Sequence, residues 1–260
     1  MDTLDGDYMV QPVVKALQVL EYVASRGHMV SLTEVVHELD LPKTTVFRYL
    51  QTLSATGFLE HDIPRDRYGV GDKFRALARV DNELNGLREL ARPEMRGLVE
   101  AFNETVNLGI LADRQIVYID MLDPIRPMRA NARIGHRHPM HSTSLGKAIL
   151  AFLPDREKLL RDNSMPQMTF KTLTDESKLR RQTDDIRQRG YAVEIGENED
   201  GLMCIGVPIL DQAGYPVAAM SLSAPERRMP PALTSAAADA LKSAALRISQ
   251  QLAPGLGART

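Results

Sequence analysis

Apolar periodicity changes character near residue 72 and again near residue 105. Before the first switch, short helical patterns are followed by two strands. From 72 to about 104, DKFRALARVDNELNGLRELARPEMRGLVEAFNE reads as helix throughout. Pro93 suits a first helical position, so a break is expected there. Beyond 105, strands alternate with helices. VNLGIL and IVYIDML flank the turn ADRQ, and CIGVPIL and PVAAMSLS flank DQAG, so both pairs read as hairpins. YAVEIG is a further strand. LTSAAADALKSAALRISQQL closes the chain as a helix with Leu233, Ala237, Leu241, Ala245, Ile248 and Leu252 on one face. These switches predict an α+β chain of two domains joined by a helix.

At 260 residues, either domain has enough chain to bury a core. No apolar run approaches the ~20 residues of a membrane span, and MDTLDGDYMV carries no signal-peptide pattern. The lone Cys204 rules out an intrachain disulfide and fits a reducing cytoplasm, the expected location. A net charge of −2 says little for or against nucleic acid.

The first domain carries the sharper signal. VVKALQVLEYVASRG places Val13, Ala16, Leu17, Leu20 and Val23 on one stripe, expected to face the core. Ser31 and Glu34 stand at capping-box spacing at the start of a second helix. After the tight turn DLP, PKTTVFRYLQTLSATG forms a third, with Pro42 expected as its first residue. Val46, Tyr49, Leu50 and Leu53 share one face of it. Thr44, Arg48 and Gln51 take the opposite face, flanked by Thr45, Phe47 and Thr52. Between Leu41 and Leu59 the only charges are Lys43 and Arg48, so no carboxylate repels phosphate, and Thr, Arg and Gln reach base edges. FLEHD, IPRDR and YGVGD then read as strand, turn and strand, with Arg65 and Arg67 at the tip. Three helices and a basic-tipped hairpin make a winged helix-turn-helix. Thr44, Arg48 and Gln51 are expected on bases, and Lys43, Thr45, Arg65 and Arg67 on phosphate or in the minor groove. Residues 1–75 hold 8 Lys+Arg against 11 Asp+Glu, so attraction to DNA must be local and one copy should bind weakly.

LPKTTVFRYLQTL, the wing, the helical linker with its Ala91–Pro93 step and the second domain together resemble the IclR family of transcriptional regulators. The likeness runs from about Val13 to Leu252. It implies a winged helix-turn-helix over 10–71, a helical linker over 72–92 and an effector domain over 93–254. That last domain would be an antiparallel sheet flanked by helices, similar to a GAF or profilin-like fold. The resemblance also implies a homodimer or dimer of dimers on a roughly palindromic double-stranded DNA operator, with no enzymatic activity.

The stretch HRHPMHSTSLGKAILAF, residues 136–152, turns from loop into helix. A small-residue entry before AILAF exposes amides at a helix N-terminus, a ready anion site. The resemblance implies that Ser144, Leu145 and Gly146 supply those amides to an effector carboxylate. It also implies that Glu194, Leu202, Cys204, Ser221 and Ser223 line the pocket, Glu194 standing where some relatives have Asp. Met128, His138, Met140 and Met203 would add an adaptable apolar wall. The expected effector is a small organic acid, either a sugar acid or an aromatic or hydroxy acid. Simpler readings stand beside these: Glu194 as a surface partner of Arg189, and Lys147 in a structural ion pair.

Two rivals remain. His136, His138 and His141, with Cys204 or Glu194, form an alternative zinc site, although Pro139 bends the chain before His141; no other cofactor is expected. A cysteine hydrolase would need Cys204, His141 and Glu194 within reach of one another. Cys204 reads as mid-strand, with no helix N-terminus to lower its pKa, and STSLG does not satisfy the G-x-S-x-G elbow.

Overall fold

The computed structural model describes residues 9–126, 133–162 and 164–252. The chain divides into two compact units, Met1–Glu83 and Leu84–Thr260.

In the first unit, α1 (Gln11–Ser25) packs on α2 (Leu32–Leu39) and α3 (Lys43–Ala55). Three short strands, β1 (Val30–Ser31), β2 (Leu59–Asp62) and β3 (Arg67–Val70), form an antiparallel sheet in the order β1-β3-β2. The capping box is present: Ser31 Oγ accepts from the Glu34 amide, and the Ser31 amide donates to Glu34 Oε2 at 2.6 Å. Asp40, with φ at 48°, closes α2 in the left-handed region and turns the chain into α3. Pro42 caps α3 and does not open its first turn.

The core joins Val19 and Val23 of α1 to Val35, Val46, Leu50, Leu59 and Tyr68. The expected α1 stripe is therefore displaced. Val13 and Leu17 are 54% and 57% exposed. The helix carries two adjacent apolar stripes, and α2 and α3 cover the one centred on Val19 and Val23.

Helix α4 runs unbroken from Asp72 to Phe102, through Pro93. Pro93 removes one backbone donor, yet the expected break does not form. Leu87, Ala91, Met95 and Leu98, on both sides of it, are all packed into the same core, and that burial holds the helix across the proline.

The second unit is a six-stranded, wholly antiparallel sheet in the order β6-β5-β4-β9-β8-β7. Its strands are β4 (Thr105–Ala112), β5 (Gln115–Leu122), β6 (Arg137–Pro139), β7 (Ala192–Ile195), β8 (Leu202–Leu210) and β9 (Pro216–Pro225). The β4–β5 turn is tight because Asp113 and Arg114 both take positive φ, the geometry that matches strand twist. One face packs on α8 (Pro231–Gln251) and the C-terminal part of α4, burying Leu108, Ile205, Val207, Leu222, Leu241 and Ile248. The other face packs on α5 (Ser144–Phe152), and α6 (Arg156–Asp162) and α7 (Glu176–Arg189) pack on α5 in turn. No helix among the described residues is long and apolar enough to cross a membrane.

Candidate functional site

Helix α3 buries Val46 and Leu50 and leaves Lys43, Thr44, Phe47, Arg48 and Thr52 exposed, with Thr45 half-buried. Two of the residues expected at DNA are committed elsewhere. Gln51 Nε2 donates to the hydroxyl of the buried Tyr68 at 3.0 Å, tying α3 to the wing. The Tyr68 ring also stacks on His61 with centroids 4.2 Å apart. Arg67 donates to the Met29 carbonyl at 3.0 Å and pairs with Glu34 at 3.5 Å, because β3 runs beside β1. Arg65 does project from the wing tip: its side chain is 78% exposed, with only an outlying contact to Asp62 at 3.6 Å, in a single 3-10 turn that also exposes Ile63. Of the residues expected at DNA, Lys43, Thr44, Arg48 and Arg65 are thus exposed and not drawn into contacts with β1 or Tyr68, with Phe47 and Thr52 exposed beside them.

In the second unit, strand register assembles a polar floor. Thr105, Ser223, Cys204 and Glu194 stand in one row across β4, β9, β8 and β7, and Asn107, Ser221 and Gly206 stand in the next. Alternation turns both rows to the same face. The N-terminus of α5 sits above them. A Cβ on Gly206 would lie 2.5 Å from the Ser144 carbonyl oxygen, so only glycine lets the helix come so close. The same holds one turn away, where a Cβ on Gly146 would lie 2.2 Å from the Met140 carbonyl oxygen.

Between floor and helix lies a cavity of about 40 Å³. Asn107, Ser221, Ser223, Cys204 and Glu194 line its floor, and Thr143 and Ser144 its roof. Tyr118, His138, Asn198, Glu199 and Leu202 complete it. Tyr118 and His138 stack with centroids 5.0 Å apart. Glu194 is 2% exposed, and its carboxylate accepts from the amides of Glu197 and Asn198, the latter at 3.1 Å. Burial pushes its pKa up, and those amides pull it part of the way back. The Cys204 thiol, between Ser223 and Glu194, is pushed well above its ordinary value by burial and by the nearby carboxylate, so it is a neutral thiol. Burial, reinforced by His136, lowers His138 and favours its neutral ring.

At the roof, the Gly146 amide is taken by Thr143 Oγ1 at 3.1 Å and the Lys147 amide by the Thr143 carbonyl at 3.0 Å. By helix geometry the first-turn amides of Ser144 and Leu145 have no intrahelical partner. Gly146 therefore does not offer the amide expected of it. Leu145 contributes a side chain to the core beneath α5, and so does Met140, which is fully buried there. Met203 points to the opposite sheet face and its core, because it alternates with Cys204. Met128 lies outside the described residues.

Sequence reading missed Asn107, Tyr118, Thr143, Asn198 and Glu199. Only Thr143 left a local signal, as a threonine three residues before a glycine at a helix start. Asn107 and Tyr118 sit inside apolar strands, where register alone reveals them. The Glu194–Arg189 surface pair does not form: Arg189 donates to the Tyr191 carbonyl and lies over the Tyr191 ring. Lys147 is fully buried and pairs with Glu197 at 2.5 Å.

The three histidines do not converge, although the rings of His136 and His138 lie 6.4 Å apart. His136 is exposed, His138 faces the cavity, and His141 is buried beside the Pro166 carbonyl, 3.0 Å from its Nε2. Among the described residues no three His, Cys, Asp or Glu side chains are grouped to hold a metal. The bend at Pro139 separates His141 from the cavity, so a Cys204–His141–Glu194 arrangement is not assembled either.

The chain is similar to known proteins over nearly all its length. The model of the IclR helix-turn-helix domain matches residues 12–62, and that of the bacterial transcriptional regulator IclR C-terminal domain matches residues 82–250. The HTH-type transcriptional regulator BhcR of Paracoccus denitrificans is 35% identical, covering 94% of this chain and 88% of that protein. The HTH-type transcriptional regulator KdgR of Escherichia coli is 32% identical, covering 94% and 93%. The crystal structure of the Thermotoga maritima IclR superposes with a TM-score of 0.64 at 30% identity, covering 94% and 99%. These relatives are transcriptional regulators and not enzymes, and with the winged helix-turn-helix and the helix-flanked antiparallel sheet they make this chain a member of the IclR family of transcriptional regulators.

Proposed function

We propose that the chain is a DNA-binding regulator of a catabolic operon that senses a small organic acid in the cavity beneath α5. The observation that carries this reading is the pairing of a helix N-terminus with a row of polar side chains drawn from four strands. An acid's carboxylate would take the amides of Ser144 and Leu145, where the helix dipole favours negative charge. Its remaining polar groups would meet Asn107, Glu194, Ser221 and Ser223.

On the DNA side, Arg48 and Thr44 would read base edges, while Lys43, Thr45 and Arg65 would hold phosphate. A homodimer would place two copies of α3 in successive major grooves of a roughly palindromic operator, about one helical turn apart. The excess of acidic residues in the first 75 positions supports the need for two copies. The regulator would work in the cytoplasm, where the DNA is. The acid would shift the dimer between arrangements that fit and miss the operator, by no more than its differential affinity for the two.

The test is a thermal melt of the purified protein against a panel of small organic acids, with zinc and a chelator as separate arms. A ligand of the folded state raises Tm with occupancy. A shift with one class of acid, and release from a bound operator by the same acid, is expected. No shift with any acid, together with a large loss of Tm on chelation, would replace the acid sensor with a metal sensor.

A further inference from the structure

Asn107 is 1% exposed and sits in the cavity floor. Its Nδ2 donates to Ser223 Oγ at 3.1 Å and to Ser221 Oγ at 3.3 Å. Its Oδ1 is buried and has no hydrogen-bond partner among the described residues. An unsatisfied buried acceptor of this kind is uncommon and costly, which makes it a place where a bound molecule supplies the missing group.

With its NH₂ donating to both serines, Asn107 keeps its carbonyl oxygen unpaired. Ser223, Cys204 and Glu194 stand in register across β9, β8 and β7, so the row beside Asn107 ends at the Glu194 carboxylate. Glu194 and Glu199 add two more acceptors to the lining. Opposite them, the first-turn amides of α5 are donors. Donors therefore face the ligand from the roof, and Asn107 Oδ1, Glu194 and Glu199 offer it acceptors beside the Ser221 and Tyr118 hydroxyls.

Resting on the acid-sensing reading above, we propose that the cavity selects hydroxy acids over the corresponding oxo acids, the effector's hydroxyl donating to Asn107 Oδ1 while its carboxylate takes the α5 amides. An oxo acid of the same length brings only acceptors. Its carbonyl oxygen would face Asn107 Oδ1 and Glu194, and the buried acceptor would stay unpaired. A second carboxylate in place of the hydroxyl would be repelled by Glu194 and Glu199.

The experiment compares matched acids by calorimetry on the full-length protein at neutral pH: D- and L-lactate against pyruvate, D- and L-2-hydroxybutyrate against 2-oxobutyrate, malonate as the diacid, and propionate as the acid with neither group. Glyoxylate is excluded because its hydrate carries hydroxyls. We expect at least one hydroxy acid to bind about tenfold to a hundredfold more tightly than an oxo acid of the same length, with malonate the weakest. In Asn107→Leu that preference should fall to within about twofold, chiefly by loss of hydroxy-acid affinity. The wild-type comparison stands even if Asn107→Leu does not fold. Oxo acids binding as tightly as the better-bound hydroxy acid of the same length, or a preference that survives in a folded Asn107→Leu, would overturn the inference while leaving the acid-sensing site intact. Absence of binding by every acid, with larger aromatic and sugar acids also silent, would overturn both.

Discussion

Lys147, fully buried, forms an ion pair with the largely buried Glu197 fifty positions away, and the backbone amide of that same Glu197 donates to Glu194 in the cavity floor. A lysine in the first turn of a helix opposes the helix dipole, so its placement there needs a compensating partner. The pair fixes the turn after β7. Replacing Lys147 with Met leaves the Glu197 carboxylate buried without its cation, and a loss of about 3–5 kcal/mol in stability is expected. Urea unfolding of the two proteins checks it; equal midpoints and slopes would mean that the turn is held by its contacts with Thr169 and Thr172 instead.

Glu194 makes stability depend on pH in a defined direction. Its folded pKa lies above the ordinary 4.5 because burial disfavours the charge. Below 4.5 the carboxyl is protonated in both states and its full contribution is present. As pH rises, the unfolded chain gives up its proton first, and stability is lost until pH passes the folded value. Glu194→Gln has no such proton to lose. The wild-type stability measured against that variant should fall as pH rises from 4.5 toward neutral, and a difference that stays flat would contradict the raised pKa.

Two substitutions on α3 should behave oppositely. Arg48→Ala is expected to leave the fold intact and to relax preference at one base position by ~1–3 kcal/mol. Gln51→Ala removes the partner of the Tyr68 hydroxyl, so it should cost about 1–2 kcal/mol in stability and leave base preference unchanged. Binding to randomised operator pools, alongside thermal melts, separates the two effects. A change of base preference in the Gln51 variant would restore that residue to the DNA face.

Gly206→Ala places a methyl group against the Ser144 carbonyl oxygen and the Leu145 amide. Neither neighbour is a flexible side chain, so the helix start must move. A loss of about 1–3 kcal/mol is expected, together with loss of the acid-induced rise in Tm. Retention of the full rise at wild-type acid concentrations would show that the start of α5 takes no part in binding.

The outer stripe of α1 should tolerate truncation where the core does not. Leu17→Ala is expected to change stability by less than about 0.5 kcal/mol, and Leu50→Ala to cost about 2–5 kcal/mol. Both are read from chemical denaturation. A core-sized loss at Leu17 would mean that a second copy covers this stripe.

Local pattern settled much of this protein. The capping box at Ser31 and Glu34, the short turn into α3, the paired hairpins of the second unit and the buried face of α8 were all legible, because each is written within a few residues as a period or a capping pair. Burial of Val46 and Leu50, and exposure of Thr44 and Arg48, followed from the same helical period.

Long-range packing decided the rest. Which of two apolar stripes α1 buries depends on where α2 and α3 lie. The continuity of α4 through Pro93 depends on the core that grips both its flanks. Gln51 and Arg67 carry side chains suited to DNA, but β3 brings Tyr68, Met29 and Glu34 within their reach. The histidines at 136, 138 and 141 are neighbours in sequence and end in three different surroundings, because chain spacing does not encode side-chain direction across a bend. The cavity floor is the clearest case. Asn107 meets Ser221 across 114 positions, and only the pairing of β4 with β9, of β9 with β8 and of β8 with β7 sets them beside Cys204 and Glu194. Strand register is a property of the assembled sheet, since a shift of one residue would turn every one of those side chains to the other face.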